Sequence, residues 1–265
     1  AGGTFDVNTL IVTAGSLDVV NFSGDLGRDA SGNAVSPGGT ITVTTQNNWT
    51  ASGETTVYNF TGVVNTNATG VNGTINFSAA AENNSPGLTI QGSTDGTALG
   101  GVNNIITGSD GTLAANTGND TITAGGYADL LIGLGGSDTI TWTNTNTGAT
   151  ASIYGNSGND VITANTAAGV VVSIDGDVDN DTITVTGAGT STIVGGLGLD
   201  TITGGSGVDA ITAGENADAV ILTSGGADTV YQGLNDSNRA VTTDFGVDNI
   251  ITVGDTMTFS NGVDV

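Results

Sequence analysis

Gly195-Gly-Leu-Gly-Leu-Asp-Thr-Ile-Thr203 runs directly into Gly204-Gly-Ser-Gly-Val-Asp-Ala-Ile-Thr212. Both nonapeptides follow the pattern GGxGxDxUx, with U a large aliphatic, and that period decides how the rest is read. Working outward, U falls on Ile122, Leu131, Ile140, Ile153, Ile162, Ile174, Ile183, Ile193, Ile202, Ile211, Val220 and Val230. The spacings are 9, 9, 13, 9, 12, 9, 10, 9, 9, 9 and 10. One aliphatic per short strand is what two facing sheets need to fill the narrow space between them, with glycine-rich loops as turns. Extra residues can bulge out at a loop without moving the strands. The stretch is therefore predicted to be a solenoid.

The Asp position, two residues before U, is less regular. It reads Asp120, Asp129, Asp138, Ala151, Asp160, Val172, Asp181, Ser191, Asp200, Asp209, Asp218 and Asp228. Two nonapeptides make one coil, so alternate units stack on the same side. The first side, Asp120, Asp138, Asp160, Asp181, Asp200 and Asp218, is complete. The second, Asp129, Ala151, Val172, Ser191, Asp209 and Asp228, is broken in the middle. Of the four spacings longer than nine, those before Ile153, Ile174 and Ile193 each lead into a unit without its Asp, and the last, before Val230, keeps Asp228. Over those three units loop regularity and carboxylate vanish together, as expected if one bound ion enforced both.

Composition narrows the chemistry. The 265 residues include 45 Gly, 23 Asp and 3 Glu (Glu54, Glu82, Glu215), against 2 basic side chains and no Cys or His, for a net charge of −24. Short, stiff Asp is the better turn former and the better ligand for a cation held close to the backbone. No nucleic-acid partner is expected, because two cations cannot neutralise a phosphate backbone. Disulfides, thiol nucleophiles, Zn sites built on Cys or His, and His-dependent triads are impossible within the chain. No apolar run approaches the ~20 residues that span a bilayer, so no transmembrane segment is expected. Nor is an enzyme: the clustered Asp residues belong to the repeat, and Arg28 and Arg239 are the only cations. Hydrophobic content of 37% is too high for a disordered acidic tail. The first residue is Ala1 rather than Met, as expected of a processed product or an excised fragment.

The nonapeptides resemble those of the repeats-in-toxin (RTX) family, whose repeats form a parallel β-roll loaded with calcium. The resemblance implies an all-β fold, with a right-handed parallel β-roll over residues 99–232. A β-rich domain over 1–98 would precede it, and capping strands over 233–265 would close it. Calcium takes six to eight oxygens from carboxylates and carbonyls, at about 2.3–2.6 Å. Two loops stacked about 4.8 Å apart can sandwich one ion. In the implied ligand scheme the upstream loop gives its first and third carbonyls and its Asp, while the loop 18 residues on gives its second and fourth carbonyls and its Asp. Carried over, the ion between Asp200 and Asp218 also uses Gly195, Leu197, Gly214 and Asn216. The ion between Asp181 and Asp200 uses Gly176, Val178, Gly196 and Gly198. Five neighbouring pairs on the first side, together with Asp209–Asp228, give roughly six ions, which would offset about half the charge of −24. Asp129 faces Ala151 and is expected to bind weakly or not at all. The family's logic also implies a chain unfolded at cytosolic calcium, exported by a type I system of a Gram-negative bacterium, and folded outside.

Residues 1–98 read differently. Thr40-Ile-Thr-Val-Thr44 and Thr56-Val-Tyr-Asn-Phe-Thr61 alternate like half-exposed strands, so this part is either a small sandwich or an irregular extension of the solenoid. Gly100-Gly-Val-Asn-Asn-Ile-Ile106 reads as a degenerate first coil with Asn104 near the Asp position. Beyond Val230, Val241-Thr-Thr-Asp-Phe-Gly-Val-Asp-Asn-Ile-Ile-Thr252 resembles the segment that follows RTX rolls, and an open terminal coil requires a capping strand. The Thr-, Asn- and Gly-rich, Lys-free composition is similar to that of bacterial surface-layer (S-layer) proteins. That likeness implies a lattice of self copies on the cell surface, with cell-surface polysaccharide as an anchoring partner. The alternatives are a segment of an RTX adhesin and the C-terminal calcium module of a secreted hydrolase. An ice-binding adhesin ranks lower, because only Thr117-Gly-Asn-Asp120 and Ser157-Gly-Asn-Asp160 carry its loop signature.

Overall fold

Thr-Ile-Thr is the unit from which the roll is built. It recurs at residues 121–123, 139–141, 182–184 and 201–203. Threonine and isoleucine are both β-branched, which restricts χ1 and favours the pleated backbone. Successive side chains then point to opposite faces, so each Ile goes inward and its two Thr go outward. The burial patterns follow this alternation, for example exposed–buried–exposed–buried over Thr121–Ala124.

A computed structural model describes residues 5–6, 18–26, 40–44, 56–64, 73–78, 89–92, 96–97, 100–108, 119–125, 128–223, 226–232, 240–242, 249–252 and 258–259. These residues form strands and turns, with no helix among them, and hence none long and apolar enough to cross a membrane. The strands alternate between two parallel sheets. The first sheet stacks Ala128–Gly135, Thr150–Ser157, Val171–Val178, Thr190–Leu197, Asp209–Glu215 and Thr229–Gln232. The second stacks Thr121–Ala124, Thr139–Asn144, Val161–Thr166, Thr182–Gly187, Thr201–Thr203 and Ala219–Ile221. The all-β parallel roll expected from the repeat is the observed fold.

Register is kept to the residue. Ile140 pairs with Ile122 and Ile162, and Ile183 with Ile162 and Ile202. On the opposite sheet Leu131 pairs with Ile106 and Ile153, and Ile193 with Ile174 and Ile211. All twelve U residues are at most 1% exposed. A slip by one residue would turn every one of them outward, so the aliphatic column locks the stack. The insertions of the long units are taken up at the corners, around residues 145–149 and 167–170, and leave the pairing intact.

Two readings were open for residues 1–98, and the described strands there join the same two sheets rather than forming a sandwich. Thr40–Thr44 and Gly73–Ser78 continue the first sheet, reaching Ala128–Gly135 through Gly100–Thr107. Asp18–Asp25, Thr56–Val64 and Thr89–Gln91 continue the second, the last pairing with Thr121–Ala124. Aromatic side chains fill this part of the core, with ring centroids 4.8 Å apart for Tyr58 and Phe77 and 5.8 Å for Phe60 and Phe77. Among the described strands one pairing is antiparallel, where Gly96–Thr97 folds back on Gly100 and Gly101. Past the last repeat, Ala240–Thr242, Asn249–Thr252 and Thr258–Phe259 add further parallel rungs. Residues 243–248 of the segment resembling the post-roll motif lie outside the described residues.

Candidate metal centre

Each coil turns two corners, and the Asp column of the first side sits at the corner leading from the first sheet to the second. Five successive coils give this corner the same backbone. The residue paired across Leu134, Asn156, Asp177, Gly196 and Gly214 always has positive φ, between 74° and 118°. So does the residue two further on: Gly136, Gly158, Asp179, Gly198 and Asn216, between 77° and 149°. Among the described residues, every non-glycine with positive φ lies in this corner. The corner is crowded as well as left-handed, since a Cβ on Gly198 would collide with the carbonyl oxygen of Asp179.

At the end of the corner the Asp carboxylates stack coil upon coil, each about 1% exposed. From Asp138 to Asp218 one oxygen of each is committed to the backbone. The N–H groups of Asp120, Asp138, Asp160, Asp181 and Asp200 donate to Oδ1 of Asp138, Asp160, Asp181, Asp200 and Asp218, at 2.7, 2.7, 2.8, 2.9 and 2.9 Å. The other oxygen is not committed: Oδ2 of Asp138, Asp160, Asp181 and Asp200 is buried without a hydrogen-bond partner. Each of these oxygens presses on a glycine five residues earlier, where a Cβ would collide with it, or come within 2.6 Å in the case of Gly195. The next coil's carbonyl oxygen converges on the same spot, 2.7 Å from a Cβ on Gly133, 3.0 Å on Gly155 and 2.5 Å on Gly176. Bare glycine thus leaves a cradle in which a carboxylate oxygen and a carbonyl oxygen meet.

A buried carboxylate oxygen facing other oxygens is costly unless a cation or a proton joins it. Burial pushes the Asp138 carboxyl from the ordinary 3.8 up to about 8; the Asp120 N–H pulls it back, and the Asp120 and Asp160 charges add to the rise. Burial likewise lifts Asp181 to about 7 and Asp160 to about 6, against the pull of the Asp160 and Asp138 N–H groups respectively. Asp200 is raised by burial too. No three carboxylates converge among the described residues, so a hard cation would depend on carbonyls for most of its ligands. That is the donor set calcium prefers, and the residues fit the ion. Of the carbonyl set implied for the two ions flanking Asp200, Gly196, Gly198, Gly214 and Asn216 occupy the left-handed positions, and Gly176, Val178, Gly195 and Leu197 the alternate ones. Asp120 and Asp218 end the described file.

The second corner has different occupants along its length. Asp209 and Asp228 repeat the first-corner arrangement: the Asp209 N–H donates to Asp228 Oδ1 at 2.8 Å, and Asp209 Oδ2 is buried without a partner. Burial raises the Asp209 carboxyl against the donated bond from Ser191, whose hydroxyl reaches Oδ1 at 2.5 Å. Further back Val172 and Ala151 fill the column, and neutral side chains satisfy the widened loops. Thr166 Oγ1 donates to the Thr186 carbonyl at 3.1 Å and accepts from the Gly189 N–H at 3.2 Å; Asn144 Oδ1 accepts from the Asn146 N–H at 2.8 Å. Asp129 is held by neutral donors on both oxygens. Oδ1 accepts from the Asn104 N–H at 2.8 Å and its Nδ2 at 3.0 Å, and Oδ2 from Trp142 Nε1 at 2.6 Å.

Two features escape a reading of the repeat. One is the Trp142 indole, thirteen residues from the Asp it caps and on the opposite sheet. The other is a second ladder outside the Asp column, in which Asn119, Asn159 and Asn180 accept the N–H of Ser137, Asn180 and Leu199 at 2.7, 2.9 and 2.7 Å. Its signal is the Asn-Asp dipeptide that ends three of the first-corner loops.

The family model of the RTX calcium-binding nonapeptide repeat (four copies) matches residues 114–141, 151–168 and 185–220. The chain carries RTX repeats. The interruptions of the match span the insertions leading to Ala151 and Val172, where the second RTX corner has lost its Asp. No curated protein and no solved structure matches the chain.

Proposed function

We propose that this chain is a non-catalytic structural component of a bacterial surface layer, secreted and folded by calcium outside the cell. The observation that carries the calcium part is the file of buried, unpartnered Asp Oδ2 atoms at the first corner. Asp120, Asp138, Asp160, Asp181, Asp200 and Asp218 would hold five ions between neighbouring coils, and Asp209 with Asp228 a sixth. Bound calcium would supply two positive charges to each gap, so that binding free energy becomes folding free energy. Only the chain's own groups prepare this: the N–H ladder orients each carboxylate, glycine leaves room for it, and burial excludes water.

The surface-layer part rests on composition, with no Lys, no Cys and Thr, Asn and Gly in excess, and on the suitability of a rigid extended roll for a lattice of copies. Electron microscopy of the protein at millimolar calcium tests it directly. Two-dimensional crystalline sheets that dissolve on chelation are the expected result. Monomers persisting at every calcium level would instead identify an adhesin segment or the calcium module of a secreted hydrolase.

A further inference from the structure

The outward face of the second sheet is a two-dimensional array of threonine. Pairing places Thr123, Thr141, Thr163, Thr184 and Thr203 in one unbroken column across five coils. Two residues away along the strands, Thr121, Thr139, Thr182 and Thr201 form a second column, interrupted once by Val161. All of these are exposed or half-buried. No strand of this sheet from Thr121–Ala124 to Ala219–Ile221 carries a charged residue, in a chain of net charge −24. The other sheet is not kept clear in this way, since Asp175, Asp177 and Glu215 lie along it.

The chemistry of the face narrows its occupant. Protein hot spots are built on Trp, Tyr and Arg, with Thr under-represented, and the exposed part of this face has none of the three. Six strands about 4.8 Å apart, three to six residues long at about 3.3 Å rise, give roughly 450 Å², below the ~800 Å² per partner of a standard interface. Sugar rings would want an aromatic platform, which is absent here as well. What remains is a rigid grid of hydroxyl and methyl groups, repeating about every 4.8 Å across the strands and about 6.6 Å along them. Water ordered on such a grid is spaced by the backbone itself. Hexagonal ice repeats its surface oxygens on spacings of the same order.

We propose that the threonine face of the second sheet adsorbs to ice. It is distinct from the Thr-Gly-Asn-Asp loops, where Asn119 and Asn159 spend their side-chain oxygens on the next coil's N–H. The proposal is independent of the surface-layer reading.

The test is thermal hysteresis and ice shaping by the calcium-loaded full chain, with analytical ultracentrifugation run alongside. The wild type is expected to shape ice, and Thr163→Tyr and Thr184→Lys, both outward-facing, to lose most of the hysteresis while far-UV circular dichroism is unchanged. Thr192→Tyr, exposed on the first sheet, is expected to keep it. A calcium-loaded wild type that leaves ice growth unaltered overturns the proposal, as does equal loss in Thr192→Tyr. If the second-sheet variants change only the sedimentation coefficient, the face is a contact between copies and the proposal is equally overturned. Absence of crystalline sheets under the electron microscope would bear on the lattice alone.

Discussion

Leu134 has φ of 83° at a corner position where later coils use glycine, Gly196 and Gly214. An L-residue in the left-handed region costs roughly 1–2 kcal/mol that glycine does not incur. Leu134→Gly is therefore expected to stabilise the calcium-loaded protein by about 1 kcal/mol, read as a higher calcium-loaded unfolding midpoint. Asp160 lies between two neighbours in the file, with its Oδ1 taken by the Asp138 N–H and its own N–H given to Asp181. Asp160→Asn should cost the protein two bound ions in a calcium titration, whereas Asp129→Asn should cost none. The raised carboxyls give a pH dependence with a definite sign. Without metal, the folded Asp138, Asp181 and Asp160 hold their protons up to about 8, 7 and 6, while in the unfolded chain they lose them near 3.8. Folding of the metal-free chain thus takes up protons, so its stability is full below about pH 4 and falls as pH rises through 6–8. Acid should partly replace calcium: far-UV circular dichroism in chelator should show more strand at pH 4.5 than at pH 8, and a pH-independent signal would contradict the burial of these groups.

The two corners of the roll are different elements made from one repeat. The first is held by carboxylates with an uncommitted oxygen; the second, over its middle coils, by Thr166, Asn144 and buried aliphatics. A neutral hydrogen bond is satisfied without a cofactor, so a loop that gains one no longer needs the spacing that an ion enforced. Asp129 marks where this changeover begins. Its carboxylate already has three donated bonds, and those to charged acceptors contribute about 1.5–3 kcal/mol each. Trp142→Phe should destabilise the protein by about 2 kcal/mol with calcium stoichiometry unchanged, measured by denaturant unfolding and calorimetric titration on the same sample. A loss of one ion in that variant would show that Asp129 is a ligand after all.

At the scale of the molecule, nine of the 26 acidic residues behind the net charge of −24 stand in the two corner columns. Carboxylates stacked at one-coil intervals repel, and the metal-free roll is held back by that repulsion and by their desolvation. Excess chelator at pH 8 should therefore remove most of the far-UV strand signal of residues 115–230, and millimolar calcium should restore it. Unchanged strand content on chelation would refute calcium-dependent folding. A solenoid whose coils contact only their neighbours can lose order from one region before another.

The sequence alone determined whatever is one-dimensional in this fold. The nine-residue period put every U residue in the core and every surviving Asp at a corner, because one strand and one corner per unit leave each residue type one place to go. Asn104 was legible as an Asp-position residue for the same reason, and it is paired with Asp129. The tertiary structure decided what depends on which coil lies next to which. It committed one oxygen of Asp138, Asp160, Asp181 and Asp200 to the preceding coil's N–H and left the other over a bare glycine. It brought Trp142 across to Asp129 and lined the threonines of separate units into a single uncharged face. Those are contacts between coils or across the two sheets, and no local period encodes them; they follow only once the aliphatic column has fixed the register.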